Sequence, residues 1–155
     1  MQARITVVCV AFVGSVLAFK DGAPGSVCLS GVPKHKVDPQ PLSTNPYKVD
    51  VQKEGANYAV TISGAEFKGF LITARKVGDD SIVPGTFSSS APNVKTVDCK
   101  DVGAASGVTH SDNSVKDSVK VTFTPAAGSD DLLYFSATVA KTVHEFWVGI
   151  KSPIL

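Results

Sequence analysis

The sequence has 155 residues with 15 basic and 14 acidic side chains, so its formal net charge is +1 when the histidines are neutral. A chain of this length has room for one domain with a single buried core. The low charge argues against nucleic-acid binding by phosphate neutralisation and against membrane disruption by a basic amphipathic surface.

The first 18 residues have the pattern of a secretory signal peptide. Arg4 gives the positive start, residues 5–13 are apolar, and the run SVLA places small residues before a cut after Ala18. A buried helix or a membrane anchor is the alternative, but the run is shorter than the ~20 residues that span a bilayer. We therefore expect a secreted, extracellular protein without a membrane span, in which residues 19–155 form one domain.

Cleavage would leave 14 basic and 14 acidic residues, and it would remove Cys9 together with Arg4. The remaining pair, Cys28 and Cys99, predicts one disulfide in an oxidising compartment. Closing so long a loop stabilises a chain by roughly 4 kcal/mol in the chain-entropy model. A metal site is the weaker alternative, because the two cysteines lack the close C-x-x-C spacing of zinc ligands.

The segment after the first cysteine is rich in proline. Residues 26–30 are expected to form a short strand or an extended arm, tied down by Cys28. Residues 31–46 contain four prolines, a spacing that no regular helix tolerates. We predict that this segment is an extended loop laid across the surface.

Alternating apolar and polar residues then predict a series of β-strands. They lie at residues 47–51, in two consecutive runs within 56–77, and at 94–102, 119–123, 133–139 and 146–151, with a shorter extended piece at 82–87. Residues 103–107, with the sequence GAASG, are expected to be flexible. Seven or eight strands without an amphipathic helix predict an all-β fold, an antiparallel β-sandwich.

Two of these strand patterns make more detailed predictions. The two runs within residues 56–77 are joined by a short turn at Gly64, so we expect a hairpin at the centre of the fold. In the last strand, Phe146 and Ile150 share the apolar face, and Trp147 is expected to point the other way.

Several segments occur together in one order along the chain. They are FKGFLITAR at residues 67–75, PGTF at 84–87, a cysteine at 99, Thr-His at 109–110, YFSATV at 134–139 and EFWVGIKS at 145–152. This ordered set resembles the reeler domain family over residues 28–152. A secreted chain holding only this domain is most similar to small insect defence proteins of the noduler type. The resemblance implies an immunoglobulin-like sandwich, a non-catalytic role, secretion, and binding to bacterial surfaces and blood cells.

The polar residues provide little support for catalysis or for a cofactor. His110 and Asp112 could supply two metal ligands, but no third ligand is evident nearby, and a histidine bonded to loop backbone is the simpler interpretation. No G-x-S-x-G elbow, P-loop or dinucleotide-binding glycine pattern occurs. We therefore predict neither an enzyme nor a metal or cofactor site.

Three side chains are candidates for ligand binding. Arg75 is the sole arginine after cleavage, and its guanidinium suits a carboxylate or phosphate, although an internal ion pair is the alternative. Tyr134 and Trp147 lie opposite the apolar faces of their strands, where they would form either an exposed aromatic platform for sugars and acyl chains or a second buried layer.

The preferred hypothesis is a secreted recognition protein of innate immunity. It would bind microbial surface glycoconjugates such as lipopolysaccharide and lipoteichoic acid, and so promote antibacterial defence or nodulation. The alternative is an extracellular matrix or cell-adhesion module with host partners. The sequence makes no prediction about the oligomeric state.

Overall fold

A computed structural model describes residues 20–129 and 132–155, so the predicted signal segment lies outside the described residues. The described chain is all-β, and its only helices are single 3-10 turns at Gly25–Val27 and Leu42–Thr44. Its nine strands are β1 Lys48–Glu54, β2 Asn57–Ser63, β3 Gly69–Lys76, β4 Gly85–Ser88, β5 Val94–Cys99, β6 Gly103–His110, β7 Val119–Pro125, β8 Leu133–Thr142 and β9 Glu145–Lys151.

The strands form two antiparallel sheets around one core. One sheet has the order β1-β2-β7-β4 and the other β5-β6-β3-β8-β9. Both sheets contribute alternate apolar side chains to the same cluster, among them Val60, Ile62 and Phe123 from the first and Ile72, Phe135 and Val139 from the second. The predicted all-β class is thus confirmed, and the alternation in most strands correctly identifies the core face.

The predicted hairpin within residues 56–77 is wrong. β2 pairs with β1 and β7, whereas β3 pairs with β6 and β8 in the opposite sheet. The connection between them crosses the core and buries Phe67 on the way. Its first residue, Gly64, has φ 129°, and a Cβ there would lie 2.2 Å from the Pro46 carbonyl oxygen. Alternation shows that both strands bury one face, but it does not tell whether they lie side by side or across the core.

The described chain has nine strands where seven or eight are predicted, because β6 includes residues that the sequence predicts to be flexible. Small side chains make the GAASG run look like a loop, yet here they make room for the disulfide between Cys28 and Cys99. A Cβ on Gly107 would lie only 2.9 Å from the Cys99 sulfur. The Cys99 amide also donates to the Ser106 hydroxyl across the β5–β6 turn. The run is a strand because it pairs with β5 and β3, which the local pattern does not reveal.

The predicted faces of β9 are also wrong. Ala137 pairs with Ile150 and Val139 with Trp147, so two residues of β9 oppose one of β8. This bulge contains Gly149 at φ 77° and reverses the alternation on one side of it. Trp147 therefore joins the core together with Ile150. Phe146 is buried on the opposite face of the sheet, against the ring of His35 at 5.0 Å.

The segment before β1 covers the outer face of the five-stranded sheet. The disulfide holds it to β5, and the predicted pairing of the two cysteines is confirmed. Further bonds run from the Ala23 amide to the Thr109 hydroxyl, from the Thr138 hydroxyl to the Gly31 carbonyl, and from the Gln40 amide to the Phe146 carbonyl. Residues 26–30, predicted to be a strand or an extended arm, instead belong to the 3-10 turn Gly25–Val27 and the turn that follows it.

Candidate functional site

The outer face of the five-stranded sheet has two parts, which we call the covered half and the open half. The covered half lies around Thr73, Arg75 and Tyr134, beneath the N-terminal segment. The open half lies around Gly69 and Ala140, at the start of β3 and the later part of β8. Two of the three sequence-predicted binding residues, Arg75 and Tyr134, lie in the covered half, whereas an apolar groove lies in the open half.

Arg75 organises the covered half through four hydrogen bonds. Its guanidinium donates to the carbonyls of Cys28 and Leu29 in the N-terminal segment and to the carbonyl of Asp80, and its Nε donates to the Thr73 hydroxyl at 2.9 Å. Burial lowers the pKa of Arg75, whereas the charges of Tyr134 and Asp80 act in the opposite direction. The cation therefore satisfies backbone acceptors within the domain and fastens the segment to β3.

Tyr134 belongs to the same cluster. It pairs with Arg75 across β3 and β8, and its hydroxyl donates to the Asp80 carboxylate at 2.5 Å. The Lys151 ammonium lies 4.6 Å from its ring centre. Burial, followed by the bond to Asp80, raises the pKa of the Tyr134 phenol. Asp80 thus accepts from the tyrosine through its side chain and from the arginine through its backbone.

Trp147 lies on the other side of the sheet, in the core. Its indole Nε1 donates to the Thr44 hydroxyl at 3.0 Å, and its ring meets Tyr47 edge to face at 5.5 Å. Arg75, Tyr134 and Trp147 are only 6%, 6% and 4% exposed. The structure therefore brings the first two together, separates the third from them, and leaves no exposed aromatic platform at these positions. A direct contact of the three with a ligand stays a prediction.

The open half contains a groove with a volume of about 370 Å³. Its floor is shallow because Gly69 and Ala140, which pair directly across β3 and β8, provide almost no side-chain volume. Leu71 and Val27 line it as buried residues, and the exposed Val143 lines it where it meets solvent, which we call the lip. The groove exists because the N-terminal segment bridges the sheet without filling the space above these small residues.

His110 forms one wall of the groove. Its ring lies so close to β3 that a Cβ on Gly69 would approach the His110 Cε1 atom to 3.0 Å. The Phe70 amide donates to its Nδ1 at 3.1 Å, so a neutral ring carries its proton on Nε2. The neighbouring Thr109 hydroxyl donates to the Phe70 carbonyl at 2.6 Å. These bonds support the interpretation of His110 as a histidine held by backbone.

Lys116 orders the loop beside the groove. The residue is 3% exposed, and its ammonium donates to the carbonyls of Lys68, Asp112 and Ser114. The Asp112 carboxylate, 3.3 Å away, also accepts from the Ser114 amide and hydroxyl. These bonds, those of Ser114 first, lower the pKa of Asp112. Asp112 is thus engaged within its loop, and among the described residues no three metal-ligating side chains converge.

The sequence does not indicate this groove. Gly69 and Ala140 are unremarkable in the sequence, and their pairing depends on the register of β3 against β8. The lining lysines, Lys20 and Lys68, lie far apart in the sequence, with β1 and β2 between them. The segment FKGFLITAR, one of those that carry the family resemblance, contains Lys68 and Gly69. The sequence around them does not indicate that they border a cavity. In the described part of the chain, no helix has the length and apolar character needed to cross a membrane.

Comparisons with known proteins agree on the family. A profile described as the Reeler domain matches residues 26–155. "Putative defense protein 3" of Antheraea mylitta is 36% identical over 143 residues, which are 87% of this chain and 84% of that protein. "Putative ferric-chelate reductase 1" of Danio rerio is 38% identical over 96% of this chain, which spans only 27% of that relative's length.

A solved structure supports the fold. The human F-spondin reeler domain has a TM-score of 0.55 and 19% sequence identity, with 72% of this chain and 87% of that chain covered. At this identity the likeness concerns the fold alone. The profile match over most of the chain and the relative of 36% identity show that the chain belongs to the reeler domain family.

Proposed function

We propose that the protein is a secreted recognition protein of innate immunity, which binds the anionic glycolipids of microbial surfaces and so promotes antibacterial defence or nodulation. Lipopolysaccharide and lipoteichoic acid are the proposed ligands, and blood cells are a further proposed partner. The insect relatives named as defence proteins support a defence role, because they match this chain over most of both lengths.

The observation that carries the proposal is the composition of the groove. Its apolar floor is bordered by two exposed lysines, Lys20 and Lys68, and by His35 and His110. None of the described lining residues carries a carboxylate. An apolar surface edged by cations complements a molecule that combines lipid chains with phosphate groups.

The proposal requires binding but no chemical step. The reductase relatives are about four times as long as the region they share with this chain, so a reductase activity is not part of the proposal. We further infer an immunoglobulin-like sandwich arrangement for the two sheets. Residues 1–18 are the proposed signal peptide and residues 19–155 the single domain, which N-terminal sequencing of the secreted protein would test by finding Phe19 first.

Binding of the secreted protein to immobilised lipopolysaccharide, lipoteichoic acid and whole bacteria tests the function. We expect saturable binding that weakens when Lys20 and Lys68 are both changed to glutamate. Changing Lys48 and Lys53 to glutamate is the matched control, because it alters net charge equally on exposed positions of the other sheet. Absence of saturable binding to all three targets would refute the proposal. Capture of host matrix proteins from microbe-free body fluid would favour the adhesion alternative.

A further inference from the structure

The floor of the groove is suited to an aliphatic chain rather than to a sugar ring. Gly69, Leu71 and Ala140 present hydrocarbon along β3 and β8, and Val27 and Pro24 close the space from the N-terminal segment. Sugar recognition usually relies on flat aromatic surfaces and many hydrogen bonds. The buried Trp147 and Tyr134 do not line this groove.

The size of the groove limits what it can hold. Its volume of about 370 Å³ is near the lower end of the roughly 300–1,000 Å³ typical of small-molecule sites. This space accommodates one aliphatic chain but not the several chains of a complete microbial glycolipid. The remaining chains and the saccharide would then lie outside the groove, in solvent or in the microbial surface.

Charge at the lip indicates the head group. Lys20 and Lys68 are exposed and line the groove together with His35, whose Nδ1 lies 2.5 Å from the Val143 carbonyl oxygen. The nearest acidic residue of the ordered loop, Asp112, is engaged by Ser114 and Lys116. Asp21 is adjacent to Lys20 in sequence but does not line the groove. The lip therefore favours an anion.

We infer that the groove binds one aliphatic chain of an anionic amphiphile, with Gly69, Leu71 and Ala140 against the chain and Lys20 and Lys68 near its phosphate or carboxylate. This inference rests on the proposed function and specifies which part of the glycolipid the protein recognises. It predicts one chain bound per protein molecule and competition between a simple single-chain phosphate and the complete glycolipid.

Calorimetry with monomeric dodecyl phosphate tests the inference. We expect saturation at one molecule per chain and displacement of the protein from lipopolysaccharide. Ala140→Leu fills the floor and should weaken binding about tenfold, the loss expected when about two buried methylene groups are displaced. Ala104→Leu adds the same bulk at an exposed position of β6 and should leave binding unchanged.

Changes at the lip test the head group separately. Lys20→Glu with Lys68→Glu should weaken dodecyl phosphate binding about fivefold at low salt and less at high salt, whereas the Lys48 and Lys53 control should not. If Ala140→Leu unfolds the protein, Val143→Asp places a carboxylate at the exposed lip instead and should also weaken binding. Inorganic phosphate or glucose 6-phosphate binding as tightly as dodecyl phosphate would overturn the role of the chain.

The outcomes separate this inference from the proposed function. If lipopolysaccharide binds but dodecyl phosphate neither binds nor competes, the inference fails and the proposed function stands. If dodecyl phosphate binds as expected but no microbial target does, the proposed function fails. Binding of dodecyl phosphate to a chain that starts at Lys20, but not to one that starts at Phe19, would assign the groove to the chain's own N-terminus and overturn the inference.

Discussion

The covered and open halves of the outer sheet face share the same strands but differ in side-chain size. In the covered half, Arg75 and Tyr134 extend from paired positions. Arg75 binds the segment that lies over it, and Tyr134 binds the Asp80 carboxylate. In the open half, Gly69 and Ala140 occupy equally paired positions and provide almost no side-chain volume, so a groove remains beside the His110 ring. On the same sheet surface, a long polar side chain thus holds the N-terminal segment by hydrogen bonds, whereas small residues leave a cavity beneath it.

The two halves also place their cations differently. Arg75 is buried, and such a charge is tolerated because its guanidinium donates four hydrogen bonds to oxygen atoms of the domain. Lys20 and Lys68 remain in water beside an apolar surface, where they are available to an external anion. A cation that stabilises the fold and a cation that suits recognition are thus distinguished by what surrounds them, not by residue type.

The largest expected effect is the loss of the disulfide, which would break the covered half. Changing Cys28 and Cys99 to serine should lower the free energy of unfolding by about 4 kcal/mol, because the cross-link closes a loop of 71 residues. Urea unfolding of the variant and the parent protein measures this difference. A loss below about 1 kcal/mol would show that the remaining bonds hold the segment almost as well.

A somewhat smaller effect is expected from Arg75→Met. The change leaves the carbonyls of Cys28 and Leu29 without their donor and should cost about 3 kcal/mol. Arg75→Lys should recover only part of the lost stability, because an ammonium cannot reproduce the planar set of donors. Lys100→Met, at an exposed position near the same segment, serves as the control in denaturant unfolding. Equal free energies of unfolding for Arg75→Met and Lys100→Met would contradict the role of Arg75 in holding the N-terminal segment.

Lys116 offers the corresponding test beside the open half. Lys116→Met should cost about 2 kcal/mol, because it removes the donor to the carbonyls of Lys68 and Ser114. We expect amide chemical shifts to change in residues 111–116 and at Lys68, while the disulfide region stays unaffected. Lys53→Met on β1 is the exposed control. Uniform changes throughout the domain would instead indicate general destabilisation.

The smallest effect concerns alkaline pH. Burial raises the pKa of Tyr134 in the covered half and of Tyr47 beside the core. The folded state thus favours the neutral phenols, and this stabilisation is complete below the ordinary pKa of about 10. It is lost as pH rises through the higher folded values. In a pH titration, part of the phenolate absorbance should therefore rise at a higher pH than that of a free tyrosine. This part should be smaller in Tyr47→Phe and in Tyr134→Phe. Ordinary titration of both Tyr47 and Tyr134 would contradict this prediction.

Much of the fold follows from the sequence because alternation is a local property. Val119, Val121 and Phe123 face the core as predicted, and so do Phe135 and Val139 of β8. The prediction fails at Trp147, where a bulge shifts the register, and at residues 103–107, where small side chains form a strand beneath the disulfide. Both failures depend on a partner strand, which a period of two along one chain does not specify.

The candidate site was less predictable than the fold. Arg75, Tyr134 and Trp147 are chemically distinctive residues, but their side chains are buried and bond to groups within the domain. The groove exists because Gly69 and Ala140 have small side chains or none, and small residues are not distinctive in a sequence. Its lysines come from positions 20 and 68, which only the N-terminal segment brings to the same rim.

The sequence by itself determined the all-β class, the likeness to the reeler family, the pairing of Cys28 with Cys99, and the core face of most strands. These features depend on residue type and short-range periodicity, which are readable along one chain. The tertiary structure alone decided which strands pair, that Arg75 fastens the covering segment, and that a groove remains over Gly69 and Ala140. Those features depend on register and on the space between distant segments, which exist only after the sheets have assembled.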